Sequence, residues 1–370
     1  MLLSDTPGID VRSSLRPGAS VGTTDLDILI KDGKPLDADI SVDNFGNRYS
    51  GEYRLNGNLT LNNPFGLGDA LQIRSTTAGE KFNYVRLSYQ LLLNDRGTRL
   101  GVAYAAMQYK LGEDFKRLDA HGTANIASLF LTHPFIRSRA FNLNGQINFD
   151  HKVLNDRIDL IGTESNKKLN NFTFGVSGDS NDQFNGGGIN QASLSVTVGD
   201  LQLDSASASL DAIGHRTQGR FTKTNLQALR LQRLTEQLSL YGQLSTQLAG
   251  DNLDSAEKMS LGGSYGVRAY PQGEAPADDA WLINLELRYA FAAQWQAMLF
   301  YDAAQGRINH KPIAADGNNR RNLSGVGAGI KWANQDGYSL QTTVAWRTDD
   351  EPTSDKDKLP RVWLQFAKSF

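Results

Sequence analysis

The stretch Leu261–Asp279, LGGSYGVRAYPQGEAPADD, lies between two segments that alternate apolar and polar residues almost without error. It is too polar, and too rich in glycine and proline, to be a strand itself. Before it, Leu238, Leu240, Leu244 and Leu248 alternate with Gln237, Ser239, Tyr241, Gln243, Ser245 and Gln247. After it, Trp281, Ile283, Leu285, Leu287, Tyr289 and Phe291 alternate with Leu282, Asn284, Glu286 and Arg288. A period of two sustained over this length means strands with one apolar and one polar face. The stretch is therefore a long loop joining two long β-strands.

Outward from that loop the same rule repeats from Asp37 to the end, in segments of about 10–14 residues. The apolar faces are Val85, Leu87, Tyr89 and Leu91; Phe141, Leu143, Ile147 and Phe149; Ala192, Leu194, Val196 and Val198; and later Trp295, Leu299 and Tyr301, Val326, Ile330 and Trp332, and Tyr338, Leu340, Val344 and Trp346. The opposite faces are rich in Asn, Gln, Ser, Thr and Arg. Turn chemistry such as Asn62-Asn63-Pro64, Asp95-Arg96-Gly97 and Asp336-Gly337 separates the segments. Short connections are expected at 62–68, 94–97, 133–138, 233–236, 292–293 and 335–337. Longer ones are expected near 46–49 and 79–82 and at 111–118, 153–167, 180–187, 199–218, 249–278, 305–320 and 349–358. Within Asp200–Gly214 the spacing fits a short helix and continued alternation equally well.

The pattern amounts to about sixteen strands, an even number as in bacterial outer-membrane barrels. Strands of soluble β-proteins average about 5–6 residues. These run roughly twice that, close to the 9–11 that a tilted strand needs to cross a bilayer. Aromatic residues such as Trp281, Tyr289, Phe291, Trp295, Trp332 and Trp346 fall near strand ends, where interfacial girdles form. The expected fold is all-β: an antiparallel transmembrane β-barrel over residues 36–370, in the outer membrane of a Gram-negative bacterium. Residues 1–35, with the strand-like Asp25–Ile30, are too short to bury a core and read as the last part of a small α+β domain. The start at Met1-Leu2-Leu3-Ser4 lacks a basic segment and a cleavage site, which suits a mature or truncated form.

Composition narrows the function. Lys+Arg 38 against Asp+Glu 40 leaves a net charge of −2, so nothing favours nucleic acid as a partner. With a cysteine count of 0 there are neither disulfides nor thiolate metal sites. The histidines at 121, 133, 151, 215 and 310 include no close pair of metal-ligand spacing. Gly262-Gly263-Ser264-Tyr265-Gly266 lacks the Lys and following helix of a phosphate cradle. Glu274, Asp278 and Asp279 read as solvated loop acids. No catalytic residue, cofactor or metal is expected.

One further property follows from alternation alone. In Gln294–Ala304, Trp295, Ala297, Leu299 and Tyr301 face lipid, so Gln294, Gln296, Met298, Phe300 and Asp302 face inward. Asp302 is then a carboxylate on the inner wall. A loop that folds back into the lumen brings Arg268 within reach of it, and guanidinium–carboxylate pairs are bidentate and stronger when desolvated. The plain alternative is a solvated Arg268 and one more pore-lining Asp302.

The run Leu261-Gly262-Gly263-Ser264-Tyr265-Gly266-Val267-Arg268-Ala269-Tyr270-Pro271, with Gly273-Glu274 and then Trp281–Tyr289, resembles the sixth loop and following strand of two-partner-secretion outer-membrane transporters. Val267, Arg268, Ala269 and Tyr270 stand where that family has a Val-Arg-Gly-Tyr-like tetrad. Phe300, Asp302 and Ala304 stand in its Phe-x-Asp-x-Gly motif, so alanine replaces glycine at two positions. Asp43–Tyr49 and His133–Arg139 also agree with family habit.

The resemblance implies a long loop held inside the barrel by Arg268 and Asp302. It implies export of a large unfolded partner protein, an adhesin, haemolysin or contact-dependent toxin. It makes residues 1–35 the end of a polypeptide-transport-associated (POTRA) domain. The terminal strand, with Phe366 and Phe370, resembles the signal read by the barrel assembly machinery. The other implied partners are outer-membrane lipid and lipopolysaccharide, with the barrel a monomer. A passive porin or a structural barrel scaffold is the alternative; neither requires the loop motif. Without its upstream domains the 370-residue chain is expected to insert but to secrete poorly.

Overall fold

The computed structural model describes residues 2–370. A short hairpin comes first, with β1 (Ile9–Pro17) paired antiparallel to β2 (Thr24–Asp32). There follow β3 (Leu36–Asp43), β4 (Arg54–Asn62), β5 (Ala70–Thr77), β6 (Phe82–Leu92), β7 (Arg99–Lys110), β8 (Ala120–Arg137), β9 (Phe141–Ile158), β10 (Thr163–Asp182) and β11 (Gly188–Leu203). Helix α1 (Ser205–Ile213) intervenes before β12 (Gly219–Arg233), β13 (Leu238–Ala249), β14 (Asp279–Ala292), β15 (Trp295–Arg307), β16 (Arg320–Ala333), β17 (Tyr338–Arg347) and β18 (Arg361–Ser369).

Strands β3 to β18 form one closed antiparallel barrel of 16 strands, each bonded to the next. The ring closes where β18 returns to β3 through five residue pairs, from Gln365↔Asp43 to Ser369↔Asp39. Closure leaves no unpaired sheet edge, which is what a bilayer demands of strands.

Alternation sets the two faces. On β15, Leu299 is 62% exposed on the outer wall, whereas its neighbours Phe300 and Asp302 are 5% and 0% exposed within. Tyr289, Phe291, Trp295 and Trp332 form a run of neighbouring outward rings across β14–β16, with centroids 6.3–6.5 Å apart. This aromatic band lies at the end of the barrel that carries the short turns, where a membrane interface belongs.

Three expected connections are corrected. Residues 133–137 are not a turn but the end of β8, whose ladder slips by one residue between Pro134 and Ile136 and so accommodates a proline without a donor. Most of 153–167 is strand, because β9 runs to Ile158 and β10 starts at Thr163. The connection expected at 180–187 begins only after Asp182, and it lies at the end of the barrel where the short turns are. Strands β8, β9, β10 and β11 are 18, 18, 20 and 16 residues long, more than a bilayer needs. The outward positions of their upper halves are polar, as with Arg157 and Glu164 at 3.1 Å, so no outward apolar set marks them in sequence.

The ambiguous segment Asp200–Gly214 divides. Strand β11 continues to Leu203, and α1 starts after Asp204, whose carboxylate accepts from Ala206 N and Ser207 N at 3.0 and 2.9 Å. The N-terminal hairpin contains the expected strand, as β2, and also β1, which was not expected. It contains no α-helix.

Candidate functional site

Residues 250–278 connect β13 to β14 and fold into the barrel. Leu261, Val267 and Tyr270 are fully buried, packed with the wall residues Leu282, Met298, Phe300, Leu323 and Ala345. An apolar set on the inner wall is thus matched to an apolar set on the loop. Turns within the loop use Gly263 (φ 118°) and Gly273 (φ 88°), a backbone region that side chains disfavour.

At the loop's tip Arg268 lies 6% exposed. Its Nε and Nη2 donate to the two oxygens of Asp302 at 2.8 and 2.7 Å, and its own backbone N–H donates to Asp302 at 3.0 Å. Asn284 on β14 adds a further donor to the same carboxylate at 2.8 Å and a second to Gly266 O at 3.0 Å. The remaining arm, Nη1, reaches Glu286 at 2.6 Å, and Glu286 is held from its other side by Arg288 at 2.7 Å. The guanidinium sits 3.6 Å over the Phe300 ring. One cation thus satisfies two buried carboxylates, and every charge in the group is paired.

The remaining motif residues surround this pair. The carbonyl of Arg268 accepts from the Trp363 indole at 2.7 Å, and Tyr270 donates its hydroxyl to Asp350 O at 2.7 Å. Ala269 packs on Gly325, where an added Cβ would lie 2.5 Å from that of Ala269. Ala304 is a buried inward residue of β15, paired with Leu282 and Leu323. Neither alanine has positive φ; the alanine that does is Ala275, so glycine's freedom is not needed at positions 269 and 304. Phe366 faces outward and stacks on Tyr338, while Phe370 is exposed, its N–H donating to Ala38 O. Phe366 lies on β18 and Phe370 directly follows it, both away from the lumenal group.

Further contacts escaped sequence reasoning. Glu274 is not solvated but 0% exposed. It accepts from Thr353 N and Oγ1 at 3.0 Å each, from Ser354 N at 2.9 Å and from the Ser354 hydroxyl, and pairs with Arg321 at 2.9 Å. Burial alone would raise this carboxyl, but the donors of Ser354 and Thr353 outweigh it and hold it below its ordinary range. Asp278 is also fully buried, paired with Lys258 at 3.1 Å, and Asp279 accepts from His310 at 2.8 Å. Nothing in the spacing of these acids distinguishes them from surface ones. Glu286 was visible as an inward position by parity, but its partner was not.

The tip is also tied to the barrel seam. Phe45, between β3 and β4, packs edge-on against both Tyr265 of the loop and Trp363 of β18, at 5.8 Å each. Asn47 donates to Gln272 O at 2.8 Å. Among the described residues no group of His, Asp and Glu has the arrangement of a metal site.

Comparison with known proteins gives concordant results. Residues 22–332 match the family described as haemolysin secretion/activation protein ShlB/FhaC/HecB. The heme/hemopexin transporter protein HuxB of Haemophilus influenzae is 31% identical over 100% of this chain, which spans 66% of that relative. The outer membrane transporter CdiB of Dickeya dadantii is 24% identical over 92% of the chain, equivalent to 61% of the relative. Among solved structures, CdiB from Escherichia coli superposes with a TM-score of 0.80 at 18% identity, over 97% of this chain and 67% of that one, which establishes a shared fold. The chain thus spans 66% of the length of the first of these relatives.

Proposed function

The chain belongs to the haemolysin secretion/activation protein family ShlB/FhaC/HecB, an outer-membrane barrel family of Gram-negative bacteria, and on that premise we propose that it is the translocation pore of a two-partner secretion system. Members of this family are transporters, not enzymes. The exported partner is a large secreted protein that passes through the lumen unfolded. Polar lining residues such as Asn148, Ser177, Ser193 and Gln227 offer hydrogen bonds without deep traps. The observation that carries this reading is the loop 250–278, a plug fastened by side chains rather than built into the sheet. A plug so fastened is a two-state element: the ion pairs hold it in, and their rupture opens the path.

The other assignments are proposals on the same premise. Residues 1–35 are the end of a periplasmic POTRA domain whose remainder captures the partner, and 36–370 are the barrel. Val267, Arg268 and Tyr270, with Phe300 and Asp302, form the gate. Phe366 and Phe370 act as the terminal-strand signal for the barrel assembly machinery. The barrel works as a monomer among lipid and lipopolysaccharide. The relative at 31% identity is a heme/hemopexin transporter protein, so an exoprotein of that class is the first to test, ahead of a contact-dependent toxin.

The test is secretion of the co-expressed exoprotein by a longer form that carries the upstream domains, beside the 370-residue chain. The longer form should secrete, and the short chain should insert but secrete little. Equal secretion by both would remove the role given to the upstream domain. Secretion by neither, with both inserted, would return the porin alternative.

A further inference from the structure

The loop is fastened a second time, on the wall of β9–β12, about a quarter of the way round the ring from the Arg268 group. Its early part, Leu253–Glu257, runs across β9, β10 and β12. Glu257 is 3% exposed and pairs with Lys152 of β9 at 2.6 Å and Lys223 of β12 at 2.8 Å. Asn171 of β10 donates to the same carboxylate at 2.9 Å. Asp254 pairs with Lys167 of β10 at 2.9 Å. Between these charges Leu253, 1% exposed, fills a socket of Leu169, Leu201 and Phe221.

We infer that Lys152, Lys167, Lys223 and this apolar socket form a recognition site for acidic-apolar segments of the polypeptide in transit, which the loop's own Leu253-Asp254-x-x-Glu257 occupies while the pore is closed. The inference rests on the reading of the loop as a removable plug. With the loop withdrawn, three lysines remain on inward positions, and the nearest residual acid to Lys167 is Asp156 at 3.8 Å. Two cations without a partner, Lys152 and Lys223, and a third held only by Asp156, beside a newly exposed apolar socket, are costly to leave empty, so a ligand of matching chemistry is favoured. The residue type fits this use. Lysines are point charges on flexible stems that can re-aim at successive carboxylates, whereas the planar Arg268 fork suits one fixed partner. On the β14–β15 wall, withdrawal leaves the opposite sign, Asp302, without its cation, while Glu286 keeps Arg288. The open conduit then has a basic side and an acidic side, and an acidic segment is drawn to the first.

The test uses the full chain in planar bilayers. A released form, Asp254→Asn/Glu257→Gln/Arg268→Asp, frees both fastenings without altering the lysines, and insertion is verified by heat-modifiable gel mobility. Two probes are added: a peptide with the sequence of residues 251–259, and an unrelated peptide alternating Leu and Glu. The released form should conduct more than the intact chain, and both probes should block it. Adding Lys152→Gln/Lys167→Gln/Lys223→Gln should weaken both blocks by about tenfold, as loss of three partly exposed ion pairs implies. Block by the 251–259 peptide alone would make the cluster a loop anchor and overturn the inference, as would block insensitive to the lysines. A released form that conducts no better than the intact chain would refute the plug itself, and the inference with it. If the released form does not insert, Asp254→Asn/Glu257→Gln alone serves, with the block read on its spontaneous open bursts.

Discussion

Arg268 is the shared cation of the lumenal group, paired with both Asp302 and Glu286. Removing one partner of a buried pair costs about 3–5 kcal/mol, because the remaining charge stays desolvated. Arg268→Ala puts Asp302 in that state and leaves Glu286 with Arg288 alone. It should make the loop 250–278 open to proteinase K in liposomes, where the native loop is protected. Arg268→Lys should fall between them, because an ammonium cannot span both oxygens of Asp302 while reaching Glu286.

A charge swap is informative in a second way. Asp302→Arg alone should free the loop. Combining it with Arg268→Asp should restore protection only in part, because the new carboxylate at 268 faces Glu286. Adding Glu286→Gln should improve the recovery. Full recovery in the double swap would show that Glu286 matters little. At this scale the Arg268–Asp302 meeting was legible, because parity put Asp302 inside and the family motif singled out Arg268. Glu274 and Glu257 were not legible: an acid in a long loop carries no sign of whether it is buried.

At the scale of elements, two outer loops are held to one another through Glu274. Its carboxyl is held below the ordinary value of 4.5 by the donors of residues 353–354, against the upward push of burial. A group depressed in this way contributes its full stabilisation above that ordinary value and loses it as the pH falls through the lower, folded one. Protease sensitivity of residues 348–360 should therefore be the same at about pH 7 and about pH 5, and rise towards about pH 3. Glu274→Gln should show the raised sensitivity already at neutral pH. The barrel strands were legible wherever one face met lipid, as on β14 and β15. The upper parts of β8–β11 were not, since their outward positions there are polar, and α1 was ambiguous because nine residues fit two periods almost equally.

For the whole molecule, the seam between first and last strands is the least paired junction, and it is extended by a side chain. Beyond the last β3–β18 pair, Asn44 donates through Nδ2 to Val362 O at 2.9 Å and accepts from Leu364 N at 2.8 Å, standing in for a strand residue. Asn44→Ala should leave these two groups unpartnered at a cost of about 1–3 kcal/mol. Amide exchange at Leu364 should accelerate while the distant β9–β10 ladder is unaffected. Equal exchange would mean the seam is held by other contacts.

The central claim is that the loop must leave the lumen for the partner to pass, and a reversible lock tests it most directly. The 370 residues contain 0 cysteines, so an introduced pair stands alone within them. Ala269→Cys with Gly325→Cys joins the loop tip to β16, where a Cβ added at 325 would lie 2.5 Å from that of residue 269 and must move off by about an ångström to reach the usual Cβ separation of a disulfide. The measurement is exoprotein secretion by the longer form carrying this pair, oxidised and then reduced, with each single variant as control. The account predicts secretion abolished in the oxidised pair and restored on reduction, with both single variants active. Undiminished secretion through a verified disulfide would show that the partner passes with the loop in place, and would contradict it.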